Sequence, residues 1–185
     1  MRPRIFGLGL SKTGTHSLNS ALTMLGYPSI HYPDPALMLA RRFDEALAGY
    51  RAATDISVAA FYKELDAYYP GSKFILTLRG DIDGWLESVG DHRKRRDGGA
   101  EDPECPKAAV RRMVYGASTF DPVRFSHAYH RHAALVRGYF SGRPGTLLEM
   151  DITGGDGWWK LCHFLGEAVP AEPFPNLNKR KPVPA

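Results

Sequence analysis

The residues with the clearest chemical potential are Gly9-Leu10-Ser11-Lys12-Thr13-Gly14-Thr15, which join an apolar run to a helix-period segment. A glycine-containing loop entering a helix offers backbone N–H groups and the positive end of the helix dipole to an anion. Lys12 adds a full charge, and Thr13, Thr15 and Ser17 add hydroxyl donors. The chemistry this predicts is anion binding, with phosphate as the natural ligand. The loop is not the nucleoside-triphosphatase form GxxxxGK[ST], because Lys12 comes before Gly14. It is not the GxGxxG dinucleotide fingerprint either, because Gly7-Leu8-Gly9 is followed by Leu10-Ser11-Lys12. An ordinary strand–helix turn capped by Thr15 is the plain alternative.

The segment Gly9–Leu18 (GLSKTGTHSL) resembles the 5′-phosphosulfate-binding loop of the sulfotransferases, a family that uses 3′-phosphoadenosine 5′-phosphosulfate. The resemblance implies that Ser11, Lys12, Thr13, Gly14, Thr15, His16 and Ser17 contact the donor, although His16 stands where a small hydroxyl residue is common. Tyr69–Ser88 (YPGSKFILTLRGDIDGWLES) resembles the family's strand, arginine and serine, which implies a 3′-phosphate site at Arg79 and Ser88. Here Gly80-Asp81-Ile82 replaces the customary residue and proline after the arginine, and the interval to the serine is one residue longer. Gly157–Asn178 looks like the closing helix and Pro-Phe-Pro…Asn segment of one branch; Asn178, Lys179, Arg180 and Lys181 read either as folding over the nucleotide's phosphates or as a plain charged tail.

For the reaction, the resemblance implies Lys12 as stabiliser of the leaving phosphate oxygen and Ser88 as its restraint. The position that aligns with the family's proton acceptor is Asp55, 24 residues before Arg79. The plain alternative for Asp55 is a helix N-cap. His31, after a weak strand at Ser29-Ile30, is the second candidate. No HxxxH, CxxC or carboxylate cluster calls for a metal. The expected acceptor is a small molecule or glycan carrying a hydroxyl or amine. Two other readings stand beside this one: a P-loop-type nucleotide kinase or hydrolase, and a non-catalytic nucleotide-binding protein of the same fold.

These residues need a frame. Short apolar runs alternate with helix-period segments, which predicts an α/β domain with a mainly parallel sheet. Runs at Arg4–Leu10, Arg51–Asp55, Lys73–Leu78 and Thr146–Met150 read as strands, the third the clearest. Helical spacing is visible over Leu18–Leu25, after Asp34-Pro35 through Leu47, and over Val58–Tyr68. It recurs briefly at Trp85–Val89, after Asp121-Pro122, and over Trp158–Leu165. The resemblance sharpens this to a three-layer sandwich with four to five short parallel strands, similar to P-loop nucleotide kinases. Residues 91–106 fit no period and are read as a mobile loop, either simply solvated or closing as a lid over the acceptor. Residues 169–185 read as an extended, basic, proline-rich surface tail.

With 185 residues and 43% hydrophobic content, the chain is long enough for one packed domain, read as residues 1–185. Twenty-four Lys and Arg against 20 Asp and Glu give +4, which suits an anionic ligand but is too small to imply nucleic acid. No stretch reaches the ~18 apolar residues of a membrane span, and the N-terminus reads as a strand rather than a signal peptide. Two cysteines without metal spacing favour a reducing, cytoplasmic setting.

Overall fold

The computed structural model describes residues 2–96 and 103–177. In chain order these form Ile5–Gly7 (β1), Thr15–Met24 (α1), Ser29–His31 (β2), Pro35–Leu39 (α2) and Phe43–Ala46 (α3). There follow Ala52–Thr54 (β3), Ile56–Ala59 (α4), Tyr62–Tyr68 (α5) and Lys73–Thr77 (β4). The remainder is Ile82–Arg96 (α6), Pro106–Tyr115 (α7), Pro122–Phe140 (α8), Leu147–Met150 (β5) and Trp158–Leu165 (α9). The sheet has five parallel strands in the order β2-β3-β1-β4-β5.

Period-two alternation in β1 and β4 builds a core on each face of this sheet. Phe6, Phe74 and Leu76 point to one side, where Phe61, Leu65, Val136 and Phe140 from α5, α8 and the turn before α5 cover them. Ile5 and Ile75 point to the other side, against Leu18 and Leu22 of α1 and Leu161 of α9. The result is the expected three-layer sandwich. A third cluster, joining Leu10, Ile56, Trp85, Val89, Val110, Tyr115 and Phe125, lies beyond the first two and packs α4, α6, α7 and α8 together.

The departures from the sequence reading are local. The single helix expected after Asp34 breaks at Arg41, whose φ of 59° is left-handed, so two short helices form instead. His31 is the last residue of β2 rather than a residue beyond it. The loop expected over 91–106 is corrected: α6 runs on to Arg96, and Cys105 caps the next helix, its Sγ accepting from the Ala108 N–H at 3.4 Å. Within that span, residues 97–102 lie outside the described residues. The periods of the sequence do not announce helix α7, yet Lys107, Arg111 and Tyr115 repeat at four-residue intervals along it. The described part of the tail is more than a surface strap. Phe174 packs on Trp158 with ring centroids 4.9 Å apart, and the Trp158 indole donates to Glu172 O at 2.7 Å. Among the described residues, no helix is long and apolar enough to cross a membrane.

Candidate active site

The strand order places β1 between β3 and β4, so the loop after β1 rises where the connections diverge to opposite sides, a position at which open α/β sheets gather ligands. The loop is held rather than hung. Ser11 N–H donates to the Tyr115 hydroxyl at 3.1 Å, and the Trp85 indole donates to Ser11 O at 2.9 Å. Thr13 Oγ1 donates to Leu10 O at 2.7 Å and lies 2.7 Å from Thr77 Oγ1 on β4. Thr13 is fully buried, so its hydroxyl braces the loop and faces away from the cavities. Gly9 permits this approach, since a Cβ there would lie 1.7 Å from Thr77 Oγ1. Lys12 at φ 70° and Gly14 at φ 92° then turn the chain into α1, whose N-cap Gly14 provides no side-chain cap. The first amides of α1 are therefore presented with the positive end of a ten-residue helix behind them.

Two cavities open on this loop. The smaller, about 230 Å³, is lined by Lys12, Gly14, Thr15, His16 and Ser17 on one side and by Arg79, Gly84 and Ser88 on the other. The Tyr129 hydroxyl fixes the Arg79 backbone, accepting from its N–H at 2.7 Å and donating to its carbonyl at 2.8 Å. The guanidinium lies over the first turn of α6, where a Cβ at Gly84 would stand 3.1 Å from it. Sequence reasoning missed the third wall, Ile152 and Thr153, with Asn176 and Leu177. Asp151 shapes the first part by accepting from Gly80 N–H at 2.8 Å, Thr153 Oγ1 at 2.8 Å and Gly154 N–H at 2.7 Å. Burial works to raise the pKa of Asp151, but these donors outweigh it and hold the carboxyl below its ordinary value. The tail is pinned where Leu177 N–H donates to Ser17 Oγ at 3.0 Å. Asn178 and Lys179 lie outside the described residues. The signal for Ile152 and Thr153 was their place just after β5, at the ligand-gathering end of a parallel strand.

The larger cavity, about 760 Å³, shares Lys12, Thr15 and His16 with the smaller one and adds Ser11, His31 and Asp55. The two candidates for proton acceptor are partners: His31 Nε2 lies 3.2 Å from Asp55 Oδ2 and 3.2 Å from Thr15 Oγ1. The rings of His16 and His31 stack at 3.6 Å. Asp55 is also a helix cap, its Oδ1 accepting from Ile56 N–H at 2.7 Å, as the plain reading of this residue had it. Its backbone at φ 91° and ψ −179° occupies a region that non-glycine residues enter at a cost of about 1–3 kcal/mol. The cap and the histidine contact oppose that cost and aim one carboxylate oxygen at the cavity. Helix α6 contributes His92, Arg93 and Arg95 to the same wall, and α7 contributes Lys107, Arg111 and Tyr115. The basic run read as loop is thus cavity wall on a helix. Trp85 is fully buried as core and loop anchor and does not reach this cavity. Burial, then Arg95 and Arg79, push the Lys12 pKa down, with Asp55 opposing them. Among the described residues, no group of three or more His, Cys, Asp or Glu side chains could hold a metal ion.

Two outcomes are expected from this geometry. Because the folded pKa of Asp151 is depressed, its contribution to stability is complete above the ordinary value of 3.8 and is lost as pH falls further. The stability gap between the parent and Asp151→Asn should narrow as urea unfolding is repeated from roughly pH 5 down to pH 2. A constant gap would contradict the assigned hydrogen bonding. At Asp55, both Gly and Ala remove the cap and the histidine contact, but only Gly relaxes the backbone. Asp55→Gly should therefore be more stable than Asp55→Ala by about 1–3 kcal/mol in denaturant unfolding, and equal stabilities would mean the backbone is unstrained.

Comparison with known proteins bears on the family and the fold. A curated protein of Aspergillus versicolor, named Ava biosynthesis cluster protein M, is 32% identical over an alignment covering 46% of this chain and 41% of that protein. The chain thus spans less than half the length of the curated relative it matches. A crystal structure of a sulfotransferase from Alicyclobacillus acidocaldarius superposes with a TM-score of 0.57 at 18% identity, covering 98% of this chain and 87% of that one, and shares its fold. Residues 4–183 match the sulfotransferase domain family, and the chain belongs to that family.

Proposed function

We propose that this sulfotransferase takes its sulfuryl group from 3′-phosphoadenosine 5′-phosphosulfate and passes it to a hydroxyl or amine of an acceptor seated in the larger cavity. The observation that carries the reading is that Lys12, Thr15 and His16 line both cavities, so one loop stands between an anion site and the His31–Asp55 pair. The residues fit such a donor: the smaller cavity combines Lys12 and Arg79 with the hydroxyls of Thr15, Ser17 and Ser88 and an uncapped helix start. When bound, the donor supplies an activated sulfuryl group attached to a phosphate leaving group.

The chain's own residues then divide the work. Arg79 and Ser88 hold the 3′-phosphate, and the loop amides with Thr15 and Ser17 hold the 5′ end. His16 stacks on His31 and keeps that ring at the boundary between the cavities. Lys12 offers a cationic donor where charge develops on the phosphate oxygen, and burial strengthens that interaction over its value in water. The acceptor's proton passes to the Asp55–His31 pair. These groups lie 3.2 Å apart and act as one unit. Asp55 holds the imidazole in place and steadies the positive charge that a proton brings to it.

Titration with adenosine 3′,5′-bisphosphate against ATP plus magnesium tests the donor. The bisphosphate should bind more tightly, and the reverse order would overturn the donor reading. Arg79→Ala should weaken the bisphosphate by about 1.5–3 kcal/mol, whereas Lys12→Ala should lower turnover far more than affinity. Equal losses in both quantities for Lys12→Ala would make it only an anchor.

For the proton acceptor, Asp55→Asn is the informative substitution. Asn keeps the cap and tolerates positive φ, so thermal stability and bisphosphate affinity should change little. Turnover should fall by ~10²–10⁴-fold, measured with an acceptor that supports the parent enzyme. Near-normal turnover would leave Asp55 as a structural cap.

A further inference from the structure

Helices α7 and α8 hold more than the chain's whole positive excess. Between Pro106 and Phe140 there are six Lys and Arg residues and one acid, Asp121, while the rest of the chain holds 18 against 19. Lys107 and Arg111 line the larger cavity, and Arg137 pairs with Glu149 at 2.7 Å. The other three, Arg112, Arg124 and Arg131, stand exposed. Arg124, His127, Arg131 and Leu135 follow at intervals of three and four, so they form one stripe along the exposed side of α8. Arg124 donates to Gly116 O at 3.2 Å and Arg131 to Val114 O at 3.3 Å, which sets the last turn of α7, with Arg112 and Met113, beside that stripe. Each carbonyl takes one of the five donors of a guanidinium and leaves others for a second acceptor. Arg124 also lies 3.9 Å from Asp121, the cap of α8, but α8 itself contains no acidic residue. Apolar side chains are set among these cations: Val123 is 65% exposed, Leu135 53% and Met113 47%. A single exposed Leu means little. Three such side chains beside three arginines make a surface that is basic and apolar at once.

We propose that this face of α7 and α8 docks on an anionic phospholipid surface, with α8 lying along the headgroups rather than crossing the bilayer. Arg112, Arg124 and Arg131 meet the lipid phosphates. Their long apolar stems let Val123, Leu135 and Met113 enter the boundary beneath while the guanidiniums stay at headgroup level. Apolar side chains scattered over the convex outside of a helix suit a fluid surface that closes around each one. A rigid protein partner instead needs a continuous, shape-matched patch. Three cations and three shallow insertions give a reversible, salt-sensitive attachment rather than a permanent anchor. None of these six residues lines either cavity, so docking does not depend on the donor reading.

The test is sedimentation of the full chain with vesicles of phosphatidylcholine alone and of phosphatidylcholine mixed with phosphatidylglycerol. Partition onto the anionic vesicles should be at least about tenfold stronger at low salt, and most of that difference should vanish near ~1 M salt. Arg124→Gln combined with Arg131→Gln should cut the anionic partition several-fold, and Leu135→Ser should lower it on its own. The two arginines also tie α8 to α7, so thermal unfolding of the double variant is measured alongside. Leu135→Ser touches neither of those bonds and decides the matter if the double variant does not fold. Equal partition onto neutral and anionic vesicles overturns the proposal, as does full anionic partition by the folded double variant or by Leu135→Ser. Binding to immobilised polyglutamate without sedimentation on either vesicle overturns it too, and points to an acidic protein as the partner.

Discussion

Between Gly9 and Thr77 there is no room for a side-chain carbon, and the site is arranged around that closeness. The parallel pairing of β1 with β4 brings the start of the loop against the end of β4, where the Thr13 and Thr77 hydroxyls meet inside the protein. A side chain at Gly9 would push the loop off β4. Lys12 and Gly14 could not then keep their left-handed turns while Ser11 stays tied to Tyr115 and Trp85. The third core cluster secures Tyr115 and Trp85, so packing of α6, α7 and α8 reaches the loop through two hydrogen bonds. In the proposed donor site, preorganisation of this kind would let backbone amides and a single lysine act on an anion without ordering the loop during binding.

Asp55 shows how stability and the proposed chemistry would be divided at such a site. A carboxylate that only capped α4 would not need a positive φ, since ordinary caps sit in the extended region. The unusual backbone gives the two oxygens separate partners, with Oδ1 facing the Ile56 amide and Oδ2 facing His31. Because β2 and β3 pair in register with His31 opposite Thr54, the histidine arrives beside the residue that follows Thr54. The pair is thus a product of strand register, and a slip of one residue in β2 would direct His31 away from it.

Much of this was legible in the sequence because the determinants were local. Strand β4, the loop residues and Arg79 announce themselves through apolar runs, glycine placement and charge at a strand end. What was not legible depended on distant contacts or on chemistry that period analysis weighs poorly. The extension of α6 to Arg96 carries polar residues whose cavity-facing members, Ser88, His92 and Arg95, repeat at helical spacing but have no apolar signature. Helix α7 begins at an unusual cap, Cys105, and its stripe mixes Lys107 and Arg111 with Tyr115. The choice between Asp55 and His31 could not be read either way, since the fold makes them partners across two strands. Thr13 looked like a ligand from its place in the loop, and only the approach of β4 shows its hydroxyl turned inward.

The distribution of charge across the two cavities ties these observations together. Lys12 sits where the loop separates them, with Arg79 to one side and Arg95 to the other, and each lowers the affinity of Lys12 for its proton. Gathering like charges works against folding, and a small domain tolerates it when the elements bearing them are fixed by other forces. Here those forces are the apolar contacts of α6, α7 and α8 and the backbone acceptors that hold Arg93 and Arg111.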